Sequence, residues 1–376
     1  MIKRLIVLLV LILLDANATT VKMQNKDSWN MAHDKSFIYA LTRNYKQKSY
    51  KIEIYDKNLK FINSKQLRIS KSFLKKYKNT YVKIYNKPES IAVSDKYLYI
   101  GTRQNIIFYD KKTLKRINAY TVASPDIWYD EKEKLYVTRT NDVEHFTNYK
   151  DYIIAYGEGD NIYIFKDDKI VRTINIKKDY PKNITQIHDY FEGTRINTVL
   201  VHKDKLYAGN WRGFVNIYDL KRGVFLDQIS TIGFNKEYKY ITADEVNYIS
   251  VYKNRWIYMG LDYKGLLVFD TKTDELKSIK TLFKKQRAYS KLFKQYFDNT
   301  KSTSIYKMLF YKDNLIFSEV NNKKDNLHVY NLKTKKILKK FKEHKGSITS
   351  MFIEGSKLFG LSNEGYIYKF DLKIYD

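Results

Sequence analysis

Seven times along the 376-residue chain an apolar stretch closes on an aromatic residue followed by a polar one: Tyr55-Asp56, Tyr109-Asp110, Phe165-Lys166, Tyr218-Asp219, Phe269-Asp270, Tyr330-Asn331 and Phe370-Asp371. Successive pairs lie 54, 56, 53, 51, 61 and 40 residues apart, the room that one four-stranded sheet and a variable loop require. A second series, Tyr39, Tyr99, Ile154, Tyr207, Tyr258, Phe317 and Phe359, recurs in step, so two registers give the same count. Within each unit an apolar strand, a polar turn and a strand rich in Tyr, Ile and Leu come first. A turn containing Gly or Asn, a strand ending on the aromatic-polar pair and a fourth strand follow. Asn197 to Ile229 and Asn247 to Ile279 are the clearest copies. Alternating aromatic and β-branched residues between Lys-Asp, Lys-Asn, Arg-Gly and Lys-Gly turns are hairpin signals.

Seven such units predict an all-β, seven-bladed β-propeller over residues 19–376. The chain ends soon after the third strand of the last unit, and Thr19 to Gln24 precede the first. An N-terminal strand completing the last blade would remove an exposed sheet edge; Lys373 to Tyr375 is the shorter competitor. Asp126 to Thr140 reads as an extra hairpin, a decoration or the stump of an eighth unit, and no aromatic-polar pair follows it. The connections Arg68 to Pro88, Ile176 to Ile196, Ser230 to Asn247 and Lys280 to Ser304 are longer than a ring needs. All run from a fourth to a first strand, so they should emerge on one face, with the turns between second and third strands. Two of them are expected to be helical inserts: Phe73, Tyr77, Tyr81 and Tyr85 recur every four residues, and Leu282, Tyr289, Leu292, Phe293, Tyr296 and Phe297 keep a helical period. Each insert carries seven Lys or Arg against a single acid, Glu89 or Asp298.

The last unit, Glu343 to Leu372, resembles a WD40 repeat. His344 and Ser362 stand where that family places the His and Ser of its buried polar network, and Glu364 stands near its Asp position. Phe370-Asp371 replaces Trp-Asp, and Phe370 cannot donate a hydrogen bond. The other units lack the His. The resemblance implies a WD40-like propeller with a degraded network, in which His344 is structural. In composition and layout the chain also resembles exported propeller proteins of Lys-rich, Campylobacter-like bacteria, among them the L-type accessory proteins of periplasmic nitrate reductase systems. That resemblance implies a protein that helps mature or couple a respiratory enzyme and carries no redox centre itself.

Residues 1–18 read as a signal peptide: a basic start at Lys3-Arg4, an apolar run from Leu5 to Leu14, and Ala16-Asn17-Ala18 as the cleavage pattern. The ten-residue run is too short to span a bilayer of about 30 Å as a helix, so a soluble periplasmic protein is expected. No Cys is present, which removes disulfides, thiol catalysis, Cys-ligated zinc, iron–sulfur clusters and covalently attached haem. The net charge of +28 would point to nucleic acid in a cytoplasmic protein. Export argues against that, and an AT-rich genome supplies a plainer reason for many Lys.

Catalytic signals are poor. The six His show no metal-ligand spacing, and neither a Gly-x-Ser-x-Gly elbow nor a phosphate-binding loop occurs. His188-Asp189 is the single pair worth testing. No catalytic residue, cofactor or metal is therefore expected. The expected role is a non-enzymatic scaffold for an acidic or membrane-associated protein partner, without nucleic acid and without a transmembrane segment after cleavage. The candidate binding residues are Lys75, Lys76, Lys78, Lys284, Lys285, Arg287, Lys291 and Lys294 on the inserts, with Trp211 and Arg212 in a turn on the same face. Against this stands a plain structural reading, with the inserts capping the face and Trp211 packing on a neighbouring blade. The other functional readings are an outer-membrane assembly scaffold and a propeller hydrolase or lyase. The enzyme would need inward-facing carboxylates or His at the mouths of several first strands, and those strands read as mostly apolar.

Overall fold

The computed structural model describes residues 18–375 apart from positions 26, 45–48, 70–71, 78–79, 86, 104, 123–127, 132–133, 139–142, 180–194, 212, 232–244, 262–264, 280–284, 291–294, 301–304, 320–326 and 342–343; the expected signal peptide falls outside these residues, Ala18 excepted. Seven four-stranded antiparallel sheets stand in sequence order. Their strands are named A to D, as in the fourth blade: Ile196–His202, Lys205–Asn210, Phe214–Asp219 and Phe225–Ser230. Each A strand packs on the A strands of the blades before and after it, and the seventh returns to the first. The A strands therefore form the hub of a closed ring. Among the described residues the helices are two single 3-10 turns, Lys177–Asp179 and Lys373–Tyr375, and none is long and apolar enough to cross a membrane.

The aromatic-polar repeat has a physical cause in each half. Tyr55, Tyr109, Phe165, Tyr218, Tyr330 and Phe370 are all at most 3% exposed. They end the C strands, and in five blades a register shift in the C–D pairing falls at the aromatic residue. The polar partner then closes the C–D turn. Asp56 accepts N–H bonds from Asn58 and Lys60 at 2.8 Å, Asp110 from Thr113 at 2.7 Å, Asp219 from Arg222 at 2.8 Å and Asn331 from Thr334 at 2.8 Å. Such side-chain caps satisfy turn amides that no strand can reach. The second series fills the B strands: Tyr39, Tyr99, Ile154, Tyr207, Tyr258, Phe317 and Phe359 are all buried between neighbouring blades.

Closure follows the expected route. Thr19–Lys22 pairs antiparallel with the C strand of blade seven, Thr19 opposite Lys369 and Lys22 opposite Tyr366. Asp126 to Thr140 is a decoration. Trp128–Asp130 and Leu135–Thr138 pair with each other, and the second runs parallel to Thr80–Tyr85, in a separate sheet that also contains Ser72–Tyr77.

The two inserts expected as helices are β-hairpins. Ser72–Tyr77 pairs with Thr80–Tyr85, and Lys285–Ser290 with Gln295–Thr300. A spacing of four residues is a multiple of two, so Phe73, Tyr77, Tyr81 and Tyr85 suit an alternating strand as well as a helix. In the first insert the Thr, Val, Ile and aromatic content decides for the strand. Tyr77 faces Thr80 across two residues, Lys78-Asn79, the commonest hairpin connection length.

The joint between blades seven and one carries a titratable stack. The His33 ring lies 3.6 Å from that of Phe352, nearly parallel, and Lys57 pairs with Glu354 at 2.6 Å. Burial, reinforced by the Lys57 charge, lowers the His33 pKa to about 4. The fold thus favours the neutral ring, so stability is full near pH 7 and declines as pH falls from 6.5 toward 4, where the unfolded chain takes up the proton. In urea titrations His33→Phe, which keeps the stack, should remove about 2 kcal/mol of the loss between pH 7 and pH 4.5, allowing for partial exposure. An identical acid loss in both proteins would show that His33 does not set it.

Candidate functional site: a cavity at the hub

The A strands open into a cavity of 410 Å³ lined by Trp29, Glu89, Glu144, Asn197, Asn247, Tyr306 and Thr349, one residue from each blade, among others. In six blades these residues sit where the A strand slips by one against its B strand: between Ser28 and Asn30, Pro88 and Ser90, Ile196 and Thr198, Val246 and Tyr248, Ile305 and Lys307, and Ile348 and Ser350. In blade three Glu144 holds the equivalent place, its N–H bonded to Tyr156 O at 3.0 Å just ahead of the His145–Tyr149 strand. A bulge re-aims a side chain that regular pairing would commit to a sheet face. Repeated in six blades, with Glu144 in the equivalent place of the seventh, it turns the starts of the A strands into a ring of mixed chemistry above an apolar hub.

The charges of this ring are mostly paired. Lys87 meets Glu89 at 3.0 Å and lies 5.4 Å from the centre of the Trp29 ring, while Trp29 Nε1 donates to Glu89 O at 3.0 Å. Burial raises the Glu89 pKa despite Lys87. Arg195 bridges Glu144 at 3.1 Å and Glu158 at 3.3 Å. Deeper groups differ. Burial keeps His145 neutral, and the neighbouring Lys307 and Arg195 push the same way. The Lys307 ammonium stands 4.8 Å from the Tyr248 ring centre and 5.5 Å from that of Tyr306.

Of the residues expected to bind a partner, Trp211 lies closest to this cavity. Its ring carries the Arg195 guanidinium at 5.1 Å, and its N–H donates to Arg195 O at 3.2 Å. Lys75 and Lys76 lie on Ser72–Tyr77, and Lys285 and Arg287 on Lys285–Ser290; they belong to hairpin strands and not to helix faces. Lys78, Arg212, Lys284, Lys291 and Lys294 lie outside the described residues, as does the His188-Asp189 pair. The first hairpin leads within a few residues to Lys87 and Glu89, and the second to Tyr306, so both inserts leave from the cavity's end of the ring. His344 is 1% exposed and its Nδ1 is 2.8 Å from Gly346 O, a structural position. Among the described residues no cluster of three or more acids or His is gathered to hold a metal.

The cavity residues escaped the sequence reading, although a signal was present. Each lies ten residues ahead of the buried centre of its B strand, or eleven in blades five and six. Aligning the units on that centre gives a column of Trp, Glu, Glu, Asn, Asn, Tyr and Thr where a regular strand would alternate.

The chain is therefore a seven-bladed β-propeller of WD40-like layout with a polar, aromatic-walled cavity at one end of its hub. No known family matches the sequence, and no curated protein does. Solved structures share the fold. A chain of the mitotic checkpoint complex superposes with a TM-score of 0.60 at 7% identity, covering 94% of this chain and 90% of that one. The computationally designed Ika8 protein does so with a TM-score of 0.55 at 9% identity, covering 94% and 98%.

Proposed function

We propose that the protein is an exported, non-enzymatic scaffold that holds a protein partner on the face where the A strands begin, with the hub cavity as the anchoring point. The observation that carries this reading is the convergence of one A-strand residue per blade, six of them at bulges, on a single cavity, at the end of the ring from which both insert hairpins leave. Long excursions on a rigid ring are where binding usually resides, and Trp29, Trp211 and Arg195 are of the residue types that dominate interface energies. The sequence resemblance to L-type accessory proteins supplies a partner class, a periplasmic respiratory enzyme such as nitrate reductase. An enzyme is the second reading, because Glu89, Glu144, Glu245 and His145 meet the requirement of inward-facing acids and a His. The scaffold is preferred because Glu89 and Glu144 are already engaged by Lys87 and Arg195.

The test is quantitative capture of periplasmic nitrate reductase by the tagged protein at low and high salt. The Lys285→Glu/Arg287→Glu double variant and Trp211→Ala should keep a native circular dichroism spectrum and retain at least about tenfold less partner, the size of one lost contact of about 1.4 kcal/mol. Equal capture by all three proteins would remove the face from the reading. Capture of outer-membrane assembly components in place of the reductase would move it to the envelope-assembly alternative.

A further inference from the structure

Glu245 apart, the charged groups that line the cavity fall into two sets. Around the rim, Lys87 with Glu89, and Arg195 with Glu144 and Glu158, neutralise one another. Lys307, one residue past the bulge of blade six, makes up the other. Its ammonium has no hydrogen-bond acceptor or ion-pair partner among the described residues. Burial lowers its pKa to about 8. What surrounds it is aromatic and neutral: the faces of Tyr248 and Tyr306 and the ring of His145, which burial holds uncharged. A desolvated ammonium without a counter-ion is costly, and π faces recover only part of that cost. Among the described residues lining the cavity, this is the cation that the protein's own acids leave unneutralised.

We infer that the cavity takes a carboxylate-bearing ligand, whose carboxylate pairs with the Lys307 ammonium between the rings of Tyr248 and Tyr306. The inference extends the proposed binding face to the chemistry of its anchor. The volume of 410 Å³ lies in the range of small-molecule sites, and Asn247 on the adjoining blade five and Asn197 on blade four line the same cavity with amides that can bond the remainder of a bound acid. Two sources offer the same chemistry: an acidic side chain or chain terminus of a protein partner, and a free organic acid. Pairing with a carboxylate favours the ammonium form, so affinity is present below about pH 8 and is lost as pH rises beyond the pKa of the complex.

Lysine reactivity reads this out on the purified protein. Brief acetic anhydride labelling across pH 6 to 10, followed by peptide mass spectrometry, should show Lys307 titrating near pH 8 while surface lysines titrate about two units higher. Citrate and a Glu-rich peptide are then added separately, with sodium chloride at matched ionic strength as control. Protection of Lys307 by about tenfold in either carboxylate arm, and not in chloride, is the expected result; the protecting arm assigns the source. Lys307→Met should fold and lose the thermal shift that the same carboxylate gives the wild type. Equal protection by chloride, no protection in either arm, or an undiminished thermal shift in Lys307→Met overturns the proposal. Because the purified chain is used alone, failure here leaves the partner-capture result standing, and failure of capture leaves this one standing.

Discussion

Replacing Glu53 with Ala should cost about 4 kcal/mol of stability and should release the N-terminal strand before the rest of the ring. Glu53 is fully buried, and the donors that its carboxylate meets among the described residues are all neutral. The carboxylate receives N–H bonds from Gln24 and Asn25 at 3.1 Å each, from Asn25 Nδ2 at 2.8 Å, from the Tyr55 hydroxyl at 2.7 Å and, more weakly, from Thr42 at 3.4 Å. Gln24 and Asn25 follow the closing strand directly, so one side chain of blade one fastens the segment that completes blade seven. Removing it strands several buried donors, each worth about 1–3 kcal/mol when unsatisfied. Glu53→Gln keeps the volume but turns an N–H₂ toward donors, and should lose about 2 kcal/mol or more. Urea unfolding measures both losses. Amide exchange should show Val21, Met23 and Asn25 losing protection ahead of the core. A loss under about 0.5 kcal/mol for Glu53→Ala would show that the carboxylate does not hold the joint.

Gly101→Val should be nearly as damaging, and its damage should reach the cavity. A Cβ at position 101 would stand 2.2 Å from Ser90 Oγ, 2.6 Å from Val143 Cγ1 and 2.7 Å from Val143 O. Ser90 Oγ donates to that same carbonyl at 3.1 Å, tying blade two to blade three. Glu89 and Glu144, the rim residues of these blades, are the immediate neighbours of Ser90 and Val143. A branched side chain forces the two A strands apart at this point. We expect a loss of about 3 kcal/mol, the upper part of the usual overpacking range, together with weaker ligand protection of Lys307. The cheaper Gly360→Ala, where the nearest atom to a new Cβ is 3.4 Å away, should cost under about 1 kcal/mol. Similar losses in the two variants would mean that inter-blade spacing is not what these glycines serve.

The ring was legible in the sequence because its information is periodic. Seven C-strand aromatics, six of them buried and six followed by Asp or Asn, mark the C–D corner, and seven buried B-strand centres repeat the count. The first insert was misread because spacing by four fits both periods; in the second the helical period gave way to pairing of Lys285–Ser290 with Gln295–Thr300. The cavity was missed for another reason. A bulge breaks strand alternation by one residue, so Glu89 in an apolar context such as Pro88 to Val93 reads as an interruption and not as a position. Lys307 gave no signal of its own. One lysine among 69 Lys and Arg becomes distinctive only when the fold places acids beside other cations and aromatic rings beside this one.

Because Thr19–Lys22 completes the sheet begun by Ile348–Glu354, the earliest described strand to be made is among the last to find its partner. During synthesis or translocation from the N-terminus it must wait, unmatched, while every other blade is delivered. Until it docks, Tyr366–Asp371 presents an open hydrogen-bonding edge on which a second molecule could lay its own leading strand. The slow step of assembly should accordingly be this final clasp. A circular permutant opened in the C–D turn of blade three, with Thr19 tethered behind Tyr375, would shorten the wait and trade fewer strands between molecules.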